Sequence, residues 1–187
     1  MNDNRTARFL LAAALVTFAV AARVVPHPWN FAPVGAIALF CGAAFDSRRI
    51  AFLAPLAAMF VSDTMLELTT SAGYHPLMPV VYATFAATAW IGTAIRSRRN
   101  SPLAVAGSAI ASSTLFFVIT NFAVWAGGSL YPKTAGGLAA CYAAAIPFFR
   151  NTLASDLTFS AILFAVFVTA ERRVPRFAPG SGEPVSL

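Results

Sequence analysis

Short clusters of arginine cut this chain into apolar runs with few charges, and those runs constrain its fold more tightly than any motif in it. The first, FLLAAALVTFAVAA, lies between Arg8 and Arg23. Others fill residues 31–45, 50–67, 76–95, 102–128 and 151–170, most of them closed by basic pairs or triplets such as Arg48-Arg49 and Arg172-Arg173. Runs of roughly 17 to 25 apolar residues have the length of a bilayer-crossing helix. Only 11% of the 187 residues are charged and 58% are apolar, against roughly 25% and 45 to 50% in soluble domains. The expected fold is all-α: a polytopic membrane protein with six transmembrane helices in one domain over residues 1–170. Residues 171–187 should form a basic end followed by an unstructured tail rich in Pro, Gly and Ser.

Two stretches depart from a plain crossing. The run 31–45 is short and carries Gly35 and Gly42, which suits a tilted or tightly packed helix, or one preceded by a re-entrant stretch. Pro26 and Pro28 keep the chain before it non-helical. Between the fifth and sixth runs, Pro132, Gly136, Gly137 and Pro147 break the pattern, and 138–149 cover only about half a crossing. A short amphipathic or re-entrant helix on the outer face is expected there. The first run also has the outline of a secretory signal ending at Ala19-Val20-Ala21. Because hydrophobicity resumes at Val24, a first transmembrane span is the preferred reading.

Basic residues gather on the cytoplasmic side of short loops, which gives an orientation. With both termini cytoplasmic, ten of the 13 Lys and Arg residues lie inside, and Arg23, Lys133 and Arg150 lie outside. This is the pattern of a multi-pass protein of the inner membrane. The net charge of +6 follows from that bias, and with no basic stripe or recognition motif a nucleic-acid partner is not expected. Cys41 and Cys141 have no CxxC spacing and read as small packing residues.

Alternating the spans places the polar residues on one side. Asp63 and Glu67 share a helix face, as do Asn121 and Trp125, and Thr152 and Asp156. All of these fall in the outer half of the bilayer, whereas the inner halves hold mostly Ala, Leu, Val, Phe and Gly. Polar groups in a membrane are costly and face an interior cavity. We therefore expect Asp63, Asn121, Trp125, Asn151 and Asp156 to line one pocket, with Arg23 and His75 at its rim. Other roles stay open: Trp29, Trp125 and Tyr131 as interfacial anchors, Asp63 or Asp156 as structural ion pairs with Arg23 or Arg150, His27 and His75 as loop residues. No GxSxG, HExxH, Cys/His pair or phosphate-cradling loop occurs, so no catalytic residue, metal site or cofactor is expected. An outward pocket for a small molecule points to solute binding or uptake. The alternative is a non-transporting scaffold or assembly subunit of the cell envelope, since a small-residue stripe such as Ala104, Ser108 and Ser112 also suits partner helices.

The strings PHPWNFAPVGAIALFCGAAF, SDTMLE, TNFAVWAGGSLYPKTAGGL and CYAAAIPFFRNTLASDLTF resemble an uncharacterised bacterial family of membrane transport proteins, over about residues 23–164. That family's six-helix pattern is similar to the substrate-binding S components of energy-coupling factor transporters. The resemblance implies an outward-facing binder that docks on a membrane coupling protein driven by ATPases. Docking there uses an AxxxA pattern on the first helix, where this chain has Ala13, Thr17 and Ala21, with the middle position changed. The architecture also resembles the membrane scaffold subunit of the bacterial cell-shape machinery.

The orientation is open to test with single cysteines. In intact cells, an impermeant thiol reagent should miss cysteines placed at Ser47, Ser97 and Ser181 and label one at Ser129. External labelling at Ser97 would sink the six-span arrangement.

Overall fold

The computed structural model describes residues 3–26, 28–71 and 73–173, and every regular element in them is helical. In order these are α1 (Asp3–Val24), α2 (Val34–Ala44), α3 (Arg48–Thr70), α4 (Met78–Ala94), a 3-10 turn (Arg96–Arg98), α5 (Pro102–Gly127) and α6 (Ala135–Arg173). Within α1, α3, α5 and α6 lie four stretches long and apolar enough to cross a membrane. Their outward faces leave Phe9, Phe60, Leu103 and Val166 exposed, as lipid contact requires. The protein is a helical membrane protein. His27, Arg176 and the expected tail over 174–187 lie outside the described residues.

The bundle is built around α2. Its sequence, VGAIALFCGAA, has no polar side chain but the Cys41 thiol, and ten of its 11 residues are buried. A helix that is apolar on every side has to be enclosed, and α2 touches each of the five other helices. Phe40 packs edge-on against Phe164 and Phe167 of α6, at 5.3 and 5.2 Å between ring centres. With 11 residues α2 is about 16 Å long, well short of the ~30 Å hydrocarbon core. The short run read from the sequence is thus a tightly packed helix, preceded by the non-helical stretch that Pro26, Pro28 and Pro33 impose.

Two glycines set the α2–α4 distance. A Cβ at Gly42 would overlap the carbonyl oxygen of Ala89, and one at Gly92 would overlap that of Leu39. The backbones approach closely because both positions lack a side chain.

Charged residues at one end fix the direction of the helices. Arg8, in the second turn of α1, pairs with Asp46, just past the end of α2. Arg96, after α4, stands 3.8 Å from the same carboxylate, and Arg99 pairs with Glu171 near the end of α6 at 2.6 Å. Hence α1 begins where α2, α4 and α6 end. The same arginines reach the last carbonyls of α2: Arg96 Nη2 donates to Gly42 and Phe45 at 3.0 and 2.6 Å, and Arg99 Nη1 to Ala43 at 3.3 Å. Three carbonyls at a helix C-terminus are thereby satisfied by cations, the favourable sign for the helix dipole.

One expected element is overturned. No separate amphipathic or re-entrant helix covers 138–149. Those residues are the first half of α6, which runs unbroken for 39 residues, about 58 Å, from Ala135 through Arg173 and so past the expected stop at 170. Pro147 lies inside it and removes only one helical hydrogen bond. The helix continues through that position because α5 lies alongside. Phe117 packs on Tyr142 and Phe149, and the Tyr142 hydroxyl donates to the Val118 carbonyl at 2.7 Å. On α1, Ala13, Thr17 and Ala21 are all exposed.

Gly42→Ala should lower stability by about 1 to 3 kcal/mol through overpacking. Gly107→Ala should cost nothing, since a Cβ there meets no atom within 4 Å. Thermal unfolding of both variants in detergent checks the pair, and equal effects would contradict the close approach.

Candidate functional site

At its other end α2 lacks a cap of its own. Its N-cap residue is Pro33, with no side-chain hydrogen bond, so the first amides of the helix need acceptors from elsewhere. One stretch of α6 supplies them and pins the chain leading in. Asn151 Nδ2 donates to the Trp29 carbonyl at 2.9 Å, and Ser155 Oγ to the Ala32 carbonyl at 2.9 Å. Asp156, 4% exposed, accepts from the Ala36 backbone N–H and from Ser113 Oγ of α5 at 2.7 Å. Its carboxylate lies so close to Gly35 that any Cβ there would overlap it. A buried anion at a helix N-terminus is favoured by the amides and the dipole together.

A second charged group lies on α1, α3 and α4. Arg23 Nη2 donates to Asp63 Oδ1 at 2.6 Å, and the Tyr82 hydroxyl donates to Asp63 Oδ2 at 2.7 Å. The side chains of Arg23 and Asp63 are 19% and 6% exposed. Glu67, one turn further along α3, does a separate job: its Oε2 accepts the amides of Gly73 and Tyr74, both at 3.0 Å, closing the α3–α4 connection.

Between these groups is a cavity of about 320 Å³, lined by Arg23, Asp63, His75 and Asp156 together with Asn30, Gly35, Thr88, Ser112 and the rings of Phe85 and Phe116. Such a volume is at the small end of ligand pockets, which run from about 300 to 1,000 Å³. Asn30 adopts a left-handed backbone, φ 58°, which Asn tolerates better than most residues.

Four of the seven residues expected from the sequence meet at this cavity: Asp63, Asp156, Arg23 and His75. Asn121 does not. It lines a smaller neighbouring pocket of about 110 Å³ that shares Asn30, Phe116 and Thr152 with the main one. Its Nδ2 is spent on the Phe117 carbonyl of its own helix, at 2.8 Å. Trp125 borders neither: its indole N–H donates to the Pro132 carbonyl at 2.9 Å, and Lys133 Nζ stands 5.5 Å from its ring centre. Asn151 is likewise occupied with Trp29. Gly35, Ser112, Phe85 and Phe116 at the cavity, and Ser113 behind Asp156, are not among the residues expected from the sequence. Only Ser112 had a signal, as part of the small-residue stripe on α5. Among the described residues no group of three His, Cys, Asp or Glu side chains stands together.

The chain belongs to a family of unknown function, DUF6580, whose model matches residues 3–177. It matches no curated protein and no solved structure.

Removing Arg23 leaves Asp63 buried without its counter-charge. Arg23→Met should destabilise by about 3 to 5 kcal/mol, and Arg23→Met with Asp63→Leu should recover much of that loss. Unfolding of the single and double variants measures the coupling. Additive losses would mean that the pair contributes nothing.

Proposed function

We propose that this protein is an inner-membrane solute-binding or uptake component, with the cavity between the Arg23–Asp63–Tyr82 group and Asp156 taking a small molecule from the outer side. The observation that carries the reading is the convergence of buried charged side chains from α1, α3 and α6 on one cavity of about 320 Å³ with aromatic walls. Buried charge in a membrane protein is costly and marks ligand or ion paths. In this reading α2 and α4 complete six crossings. Both termini are cytoplasmic, because the end holding Arg8, Arg96 and Arg99 carries the basic excess. The chain has no phosphate-cradling loop, so energy for uptake would come from a separate ATPase module through a membrane coupling protein. The exposed Ala13, Thr17 and Ala21 of α1 offer that partner a small-residue face.

Ligand-dependent thermal stabilisation of the purified protein is the test, with a panel of vitamins, amino acids, nucleobases and metal ions. A binder at a hundred times its Kd should add about 2.7 kcal/mol. Asp63→Asn and Phe116→Ala should weaken its binding, and Trp125→Phe should leave it unchanged. Silence across the panel would favour a scaffold in the cell envelope instead.

A further inference from the structure

Among the acids whose side chains are described, one buried carboxylate has no cation beside it. Asp46 meets Arg8 and Arg96, Asp63 meets Arg23, and Glu171 meets Arg99. Glu67 is only half-buried and holds two backbone amides. Asp156 is 4% exposed and has neutral donors alone, Ser113 Oγ and the Ala36 amide. No described cation forms a salt bridge with it. A carboxylate offers about four acceptor positions, so two remain, and Asp156 lines the cavity. The N-terminus of α2 favours its ionised form but amounts to only about half a positive charge.

Two independent features of the same cavity suit a cationic guest. Ser112 Oγ is buried, lines the cavity and has no hydrogen-bond partner. It is free to accept from a donor group. The rings of Phe85 and Phe116, 5.3 Å apart between centres, form an apolar wall of the kind that holds organic cations by their π faces. Arg23 and Asp63 neutralise each other within the cavity, so Asp156 sets its charge.

We propose that the cavity is selective for a small organic ammonium compound: the charged nitrogen sits between Asp156 and Ser112, and an apolar or aromatic body lies against Phe85 and Phe116. The volume and the aromatic wall favour an organic cation over a bare metal ion, for which the described residues hold no cluster of three ligands. This proposal rests on the cavity being a binding site.

The test compares three near-isosteres on the full chain in detergent at neutral pH: phenethylamine, phenethyl alcohol and phenylacetate. Affinities are read from thermal-shift titrations. Phenethylamine should bind about tenfold more tightly than the alcohol, since a charge-assisted hydrogen bond exceeds a neutral one by that order. Phenylacetate should bind worst, and Asp156→Asn should erase the amine's advantage. Equal binding of the amine and the alcohol, tighter binding of phenylacetate, or an unchanged preference in Asp156→Asn would overturn the charge assignment while leaving a binding cavity in place. A saturable shift with sodium chloride alone, matching that of the amine, would overturn it in favour of an inorganic cation. No shift with any of the three probes overturns the proposal, and if the wider panel is silent too, the binding reading falls with it. Should Asp156→Asn fail to fold, the wild-type comparison of amine with alcohol decides alone.

Discussion

A helix of 11 residues enclosed on all sides must satisfy its terminal backbone groups without water, and the rest of this structure is arranged to do that for α2. Four amides at one end and four carbonyls at the other have no partner within a helix. The carbonyl end receives Arg96 and Arg99, which follow α4. The amide end receives Asp156 from α6. Each unmet group in a dry interior would cost several kcal/mol, more than any one helix–helix contact supplies. The positions of α4 and α6 relative to α2 follow from these bonds and from the Gly42–Gly92 approach.

The amide end of α2 borders the cavity through Val34 and Gly35. At about 16 Å, α2 covers roughly half of a hydrocarbon core about 30 Å thick. The chain leading into α2 turns at Trp29 and Asn30, and Asn151 and Ser155 hold it against α6. Beside that turn lies the cavity, lined by Gly35 with Asp63, Asp156, Phe85 and Phe116.

Much of this was legible in the sequence. Apolar runs bounded by arginines gave the helices, because bilayer length and charge exclusion act locally. The acids within the apolar runs are legible as inward-facing on cost alone. A shared helix face proved weaker than it looked. Asp63 and Glu67 lie on one face, yet Asp63 pairs with Arg23 while Glu67 closes a connection. Asn121 and Trp125 also share a face, but Trp125 is a turn nearer the end of α5, where Pro132 and Lys133 occupy it. Unbroken α6 was not legible either, since Pro147 and Arg150 look like stops until α5 is seen packed along them. Nor could spacing reveal that Asp156 caps α2, for that contact joins residues more than a hundred positions apart.

The two ends of α2 differ in a way that its stability does not require. At the carbonyl end the arginines meet carboxylates, Arg96 sharing Asp46 with Arg8 and Arg99 pairing with Glu171. At the amide end Asp156 brings a full negative charge where a neutral acceptor would satisfy the same amides, since Ser, Thr and Asn cap helices about as well as Asp. Ionising a carboxylate in a nearly dry site costs several kcal/mol unless something offsets it. The donors Ser113 and Ala36 and the helix dipole offset part of that cost, and an Asn at the same position would need none of it offset. The charge is therefore surplus to the fold. It lines the cavity, as does a serine hydroxyl that has no partner, and a cation held between them would neutralise the carboxylate and donate to both groups.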